Sequence, residues 1–164
     1  MSIARIELLQ QMPIFGGVSE PTLRRLQQRA QTVSLPPGHC FFEEGDLADC
    51  LYVLEAGQAV VLKQWEGHVY RLNELQPGDC FGEMAILDMT PRSAAVEAVE
   101  DCRAMCLSTG DLYELYEHDP GQYLLILMNM AREISRRLRR ADERLFLAGI
   151  VERRVEHGAE HYLV

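Results

Sequence analysis

Glu83 and Arg92 are the two residues of this chain best suited to act on one ligand. They lie in the run Phe81-Gly82-Glu83-Met84-Ala85-Ile86-Leu87-Asp88-Met89-Thr90-Pro91-Arg92-Ser93-Ala94-Ala95-Val96. Arg92 offers a planar guanidinium fork that fits two oxygens of one phosphate. An ionised Glu83 only accepts hydrogen bonds, and a ribose hydroxyl is a donor. Gly82-Glu83-Met84-Ala85 can open a short helix, whose free N–H groups suit an anion. One carboxylate, one guanidinium and a glycine-opened turn therefore match a ribose cyclic phosphate. The competing reading of the same pair is a Glu83–Arg92 salt bridge in a tight loop with no ligand.

Nothing in this run supplies a nucleophile beside a base, so binding without turnover is expected and no catalytic residue is assigned. His118-Asp119 spells a dipeptide used by one class of metal-dependent phosphohydrolases, but before Pro120 it reads better as the end of a helix. The remaining histidines, His39, His68, His157 and His161, are scattered. His157 and His161 have i, i+4 spacing, yet Gly158 lies between them, and no metal site is expected there. Cys40, Cys50, Cys80, Cys102 and Cys106 form an odd set without a framework spacing. They read as small core residues of a reducing compartment. Cys102 and Cys106 would stand ~13 Å apart along one strand, too far to bridge.

These residues need a scaffold to place them. A length of 164 residues suits one domain, and 48% hydrophobic with 25% charged residues excludes a disordered chain. A domain of this size buries roughly 70% of its unfolded surface and needs no staple. No apolar run approaches the ~18 residues of a membrane span. The N-terminus, with Arg5 and Glu7, lacks a signal-peptide core, so a cytoplasmic setting without membrane contact is expected. The net charge of −9 argues against a nucleic-acid-binding coat.

Residues 3–31 read as helical, with Pro13–Gly17 setting off a short first helix. Ser19 caps the second, ahead of Glu20 and Pro21. From 33 to 108, Gly38, Gly45, Gly57, Gly67 and Gly78 punctuate β-favouring stretches at 40–42, 51–54, 59–65 and 69–72. Two more follow at 94–99 and 102–107, and residues 79–92 read as an insertion between strands. Such spacing implies an antiparallel sandwich or roll. Helical character returns at Thr109. Asp119 and Pro120 then start a helix expected to reach about Ala148. On it, Leu127, Ala131, Ile134, Leu138, Ala141, Leu145 and Ala148 recur in alternating steps of 4 and 3. That heptad implies a homodimer through helix 120–148, with a single helix lying on its own domain as the competing reading. The arginines on its other faces (Arg132, Arg136, Arg137, Arg139, Arg140, Arg144) read as a solvated face.

The run 81–96 resembles the phosphate-binding cassette of the cyclic-nucleotide-binding domain family, whose pattern is F-G-E-(L/M)-A, a spacer, then P-R-(A/S/T)-A. Phe42-Glu43-Glu44-Gly45-Asp46, Asp49-Cys50-Leu51-Tyr52-Val53-Leu54, Gly57 and Pro77-Gly78-Asp79 are also similar to that family. The likeness extends over about residues 10–145. It implies an α+β, mainly β fold: an antiparallel β-roll (a double-stranded jelly roll) with N-terminal helices and a long C-terminal helix. The expected layout is one domain over 1–148, with helices 3–31, roll 33–108 and helices 109–148, followed by a short tail at 149–164.

The resemblance also implies roles. Glu83 would hold the ribose 2′-hydroxyl and Arg92 the cyclic phosphate, with backbone amides near Ala85 and Ser93 assisting. Gly82 would let the backbone approach the sugar, and Met84 and Ala94 would complete the cassette. In the family the long helix closes over the base. Aligning Ser135-Arg136-Arg137-Leu138 with the family's catabolite activator protein places Ala141 and Asp142 where that protein uses two hydroxyl residues. Ala141 makes no such bond. Asp142 can accept protons from guanine or adenine, or simply pair with an arginine one turn away. The expected ligand is cyclic AMP, slightly favoured over cyclic GMP, with no other cofactor. The expected role is a small regulatory sensor acting on an unknown partner protein. Family transcription factors carry a helix-turn-helix after the long helix. Only 16 residues follow Ala148 here, so DNA binding is not expected. The rival readings are a ligand-free protein-interaction module on the same fold, a cupin-like metal enzyme, or a haem or redox sensor using Cys40 or His39. The cupin reading lacks the His-x-His it needs.

Overall fold

The computed structural model describes residues 3–159, with side chains from Arg5 to Ala148. Helix α1 (Ile3–Gln11) and a 3-10 turn (Pro13–Phe15) lead into α2 (Glu20–Arg29). The Ser19 hydroxyl caps α2 by accepting from the Thr22 amide at 3.4 Å, with Pro21 in the first turn.

Eight strands follow: β1 (Gln31–Leu35), β2 (Cys40–Phe42), β3 (Cys50–Ala56), β4 (Ala59–Trp65), β5 (His68–Leu75), β6 (Cys80–Phe81), β7 (Ala95–Ala98) and β8 (Cys102–Ser108). They form two four-stranded antiparallel sheets, ordered β1-β8-β3-β6 and β2-β7-β4-β5. This is the β-roll expected from the sequence. Strands β1 and β6 are additions to the sequence reading. Helix α3 (Glu83–Leu87) lies inside the segment read as an insertion.

Strand β3 divides the core. Leu51 and Val53 pack outward with Leu9, Phe15, Leu23, Leu26 and Ile126 of the helices. Cys50, Tyr52 and Leu54 point the other way, into the roll with Phe81, Leu75 and Val96. A strand buried on both faces has no alternation to display, which is why 51–54 reads as a plain apolar run.

Helix α4 (Thr109–His118) begins at a reciprocal cap in which the Ser108 hydroxyl and the Asp111 carboxylate serve each other's amides. Asp119 then caps α5 (Pro120–Ala159), accepting from the Gln122 amide at 3.1 Å. Asn129, buried on α5, donates to the carbonyls of Ile14 and Gly16 at 3.1 and 2.9 Å. Those bonds tie the first turns of α5 to the segment between α1 and α2.

Residues up to Met130 form one compact unit, and the chain from Ala131 forms a second. In the second, α5 continues past Ala148 to Ala159, so most of the expected tail is helix. Gly149 costs a helix only about 1 kcal/mol, and no proline intervenes. Leu138 and Leu145 are 60% and 72% exposed, an apolar row open along this part of the helix. His161 and the side chain of His157 lie outside the described residues. Among the described residues no group of three metal-ligating side chains occurs, and no helix is long and apolar enough to cross a membrane.

Candidate functional site

Strand β6 delivers the chain to Gly82, whose φ of +77° is the left-handed conformation that favours glycine. A Cβ at Gly82 would stand 2.6 Å from Arg92 Nη1 and 3.1 Å from Phe42 Cε1. The glycine therefore both turns the chain and leaves room for the guanidinium. Helix α3 starts directly after it, with Glu83 and Ala85 buried and Met84 exposed.

Arg92 returns to this glycine from ten residues downstream. It is 4% exposed, unusual for an arginine. Nη1 donates to the Gly82 carbonyl at 2.6 Å, and Nη2 donates to the Cys50 carbonyl at 2.6 Å. Its guanidinium carbon sits 4.1 Å above the centre of the Phe42 ring, a cation–π contact. Nε is buried and has no hydrogen-bond partner among the described residues. A buried donor left in this way costs about 1–3 kcal/mol unless an acceptor arrives.

The backbone of Arg92 is braced as well. Its carbonyl accepts from the Gly45 amide at 2.8 Å, and its amide donates to the Asp46 carbonyl at 2.9 Å. The Asp46 carboxylate closes that turn by accepting from the Glu43 amide at 2.8 Å. Lys63 reaches across to donate to the Ser93 carbonyl at 2.8 Å and pairs with Glu44. The Lys63 hydrogen bond holds the Glu44 carboxyl below its ordinary range. Beneath the guanidinium, Tyr52 and Phe81 stack with ring centres 5.2 Å apart, and Phe41 meets Phe81 edge-on at 5.1 Å. Burial among these rings pushes the Tyr52 phenol up.

Gly82, Glu83, Ala85, Arg92 and Ala94 are thus gathered into one partly buried loop, with Met84 and Ser93 on its exposed side. Glu83 and Arg92 are both buried. Asp142 stands exposed on α5, in the second unit. Two contributors escaped the sequence reading. Phe42 lay in a run already singled out, but its contact with the guanidinium is a matter of tertiary placement. The Cys50 carbonyl is backbone and has no residue-type signature at all.

The sequence profile of the cyclic nucleotide-binding domain matches residues 32–119, more than half of the chain. The Cyclic AMP receptor protein of Thermus thermophilus is 34% identical over 143 residues, 87% of this chain and 64% of that protein. The crystal structure of the Thermus thermophilus Catabolite Activator Protein matches with a TM-score of 0.72 at 33% identity, over 84% of this chain and 63% of that one. A cyclic nucleotide-binding domain from Methylobacillus flagellatus matches with a TM-score of 0.77 at 25% identity, over 86% of this chain and 80% of its own. The chain spans less than two thirds of the length of the two Thermus relatives. With the β-roll, the glycine-opened turn and the buried arginine in place, the chain belongs to the cyclic nucleotide-binding domain family.

Proposed function

We propose that the chain binds a cyclic nucleoside monophosphate and acts as a regulatory sensor on a partner protein. The observation that carries this reading is the buried Arg92, held by two carbonyls and an aromatic face while Nε has no partner. A buried guanidinium with one donor left over is poised for an anion. A cyclic phosphate bound there satisfies Nε and places a negative charge beside the guanidinium. Glu83 takes the ribose 2′-hydroxyl, and amides near Ala85 and Ser93 complete the phosphate contacts. Cyclic AMP has a small lead over cyclic GMP, because a relative 34% identical is named for cyclic AMP. Titration of the reduced protein with each nucleotide by calorimetry tests the reading. Saturable binding of one or both supports it, and no heat at millimolar nucleotide overturns it.

The sensor works by binding, without turnover, metal or cofactor, and nucleotide recovered chemically unchanged after prolonged incubation checks this. A cytoplasmic setting fits this role, and no duplex DNA binding is expected of a chain with a net charge of −9. Occupancy shifts the populations of two packings of the helices from Thr109 onward through its different affinity for them. The chain acts as a homodimer through the apolar row containing Leu138 and Leu145, both largely exposed in the single chain. Leu138→Glu is expected to lower the mass seen by light scattering from twice 18.7 kDa to 18.7 kDa. A wild-type protein already monomeric at high concentration, with and without nucleotide, removes the dimer.

A further inference from the structure

The Cys50 sulfur lies 3.8 Å from Arg92 Nη2, the same nitrogen that donates to the Cys50 carbonyl at 2.6 Å. A second thiol, Cys106, stands on the neighbouring strand β8 and lines the same cavity as Cys50. Cys50 opposes Ser108 and Tyr52 opposes Cys106, so the two thiols are diagonal neighbours on one face of the β3–β8 pair. Both line a cavity of about 370 Å³, together with Asp49, Tyr52 and Ser108. Cys50 is buried and Cys106 half-buried, and both are free thiols.

We propose that Cys50 and Cys106 form a reversible disulfide under hydrogen peroxide, and that closing it withdraws the carbonyl holding Arg92 and weakens nucleotide binding. The gate rests on the nucleotide-binding reading above. Cys50 is the attacking thiol. The Cys106 hydrogen bond draws its pKa down to about 7 against the opposing effect of burial, and the same bond pushes Cys106 up. Burial pushes Cys102 up, and Cys40 is pushed up to about 11, by burial first and Glu43 next. Only the thiolate is a good nucleophile.

The Cys50 thiolate attacks one peroxide oxygen. The S–O bond forms, the O–O bond breaks, and the departing hydroxide takes a proton to become water, leaving a sulfenic acid. Cys106 then attacks that sulfur. The S–S bond forms, the S–O bond breaks, and the departing hydroxide leaves as water with the Cys106 proton. Two thiols lose two electrons and one peroxide gains them. Once Cys50 is oxidised it is no longer anionic, and its own share in pushing Cys106 up is removed, while burial and Asp49 still act.

Diagonal neighbours across an antiparallel pair stand about 7–8 Å apart. A disulfide needs Cα atoms about 4.4–6.8 Å apart, so closure must shift the backbone at one end. Cys50 is the first residue of β3, whereas Cys106 lies inside β8, so closure is expected to move Cys50. Its carbonyl moves with it, and that carbonyl anchors Nη2. By linkage, bound nucleotide must in turn favour the dithiol.

The test uses the full 164-residue chain. It is reduced, treated with hydrogen peroxide, mapped by peptide mass and titrated with cyclic AMP by calorimetry. The expected product is a Cys50–Cys106 cross-linked peptide pair lacking two hydrogens. Affinity should fall by about tenfold or more and return with dithiothreitol. Cyclic AMP bound beforehand should slow cross-linking. Cys106→Ser should bind like reduced wild type and, after peroxide, carry a dimedone-trapped sulfenic acid at Cys50 without a cross-link. Absence of that cross-link in the wild type, or a cross-link that leaves affinity unchanged, overturns the gate alone. If the reduced protein binds no cyclic nucleotide, the functional reading fails and the gate fails with it.

Discussion

Glu55 and Arg92 are both buried charges on the same scaffold, and the fold completes them in opposite ways. The Glu55 side chain is fully buried, and each of its oxygens has a cationic partner. Oε1 accepts from Arg5 Nε at 2.7 Å and Oε2 from Arg103 Nε at 3.1 Å. This carboxylate ties α1 to β3 and β8, and its charge is answered within the chain. Arg92 is held by two carbonyls and a ring, with Nε left over. A buried charge completed by its own chain is structure. One completed halfway, beside a glycine that keeps the space open, is a place for a ligand. Burial alone does not separate the two cases. The identity of the partners does.

The largest expected effect breaks the open side of this comparison. Arg92→Ala removes a charge-assisted, two-pronged contact from a desolvated phosphate, which costs on the order of 2–5 kcal/mol of binding. Nucleotide affinity should fall beyond easy measurement by calorimetry while the circular dichroism spectrum keeps its native form. Unchanged affinity would remove the phosphate role from Arg92.

Glu55→Ala should do the reverse. It strands two arginines, but Arg5 and Arg103 are 29% and 53% exposed and water answers part of their charge. The loss should stay near 1–3 kcal/mol of stability, read as a lower melting temperature. Nucleotide affinity should change by less than about twofold, since Glu55 is not among the partners of Arg92. A Glu55 variant that loses binding as Arg92→Ala does would erase the distinction between the two charges.

Gly82→Ala sharpens the comparison by closing the space rather than removing the charge. The left-handed φ costs the new residue about 1 kcal/mol, and its Cβ would stand 2.6 Å from Nη1. The guanidinium must shift, so affinity should drop about tenfold even though both charged residues remain. Gly57→Ala is the control for strain alone. It too is left-handed, but its Cβ would meet the Asp101 carbonyl at 2.5 Å, away from the cassette. It should lower stability and spare affinity. Equal losses of affinity in the two variants would mean that Gly82 acts only through the fold.

The open site was more legible in the sequence than the closed one. Gly82, Glu83 and Arg92 form an ordered pattern within one short run, and residue types in order are what a sequence displays. The Glu55 cluster joins residues from α1, β3 and β8, and nothing local marks it. The same limit explains the missed strands. β6 has two residues, too few for any period, and β1, Gln31–Leu35, carries only Val33 and Leu35 as apolar signals. The helices read better because Ser19 and Asp119 are caps, and a cap is a local event. The sequence places the end of α5 near Ala148, short of its end at Ala159. Its heptad fades near Ala148, but a helix needs only tolerable residues to continue, and Gly149 is tolerable.

The smallest expected effect concerns the base, and it asks how far the open site reaches. Ribose and cyclic phosphate are common to cyclic AMP and cyclic GMP, so in the roles proposed above Glu83 and Arg92 would serve both equally. Discrimination falls to residues around them. Ser93 is exposed beside Arg92, where its hydroxyl suits the amino group of a syn guanine. Its carbonyl is already engaged by Lys63 at 2.8 Å, which fixes the backbone but leaves the hydroxyl out of that bond. On α5, Ala141 has no side-chain hydrogen-bonding group, and a carboxylate such as that of Asp142 can accept from the N6 protons of adenine as readily as from N1 and N2 of guanine. None of these groups rejects either purine by leaving a buried donor unpaired, the device that yields large selectivity. The two affinities should therefore lie within about tenfold, or ~1.4 kcal/mol, with cyclic AMP ahead. Parallel titrations check this, and Asp142→Ala should move the ratio by less than the tenfold itself. A preference beyond about a hundredfold for either nucleotide would place a purine contact outside Ser93, Ala141 and Asp142. The open site would then extend further than its phosphate and ribose ends.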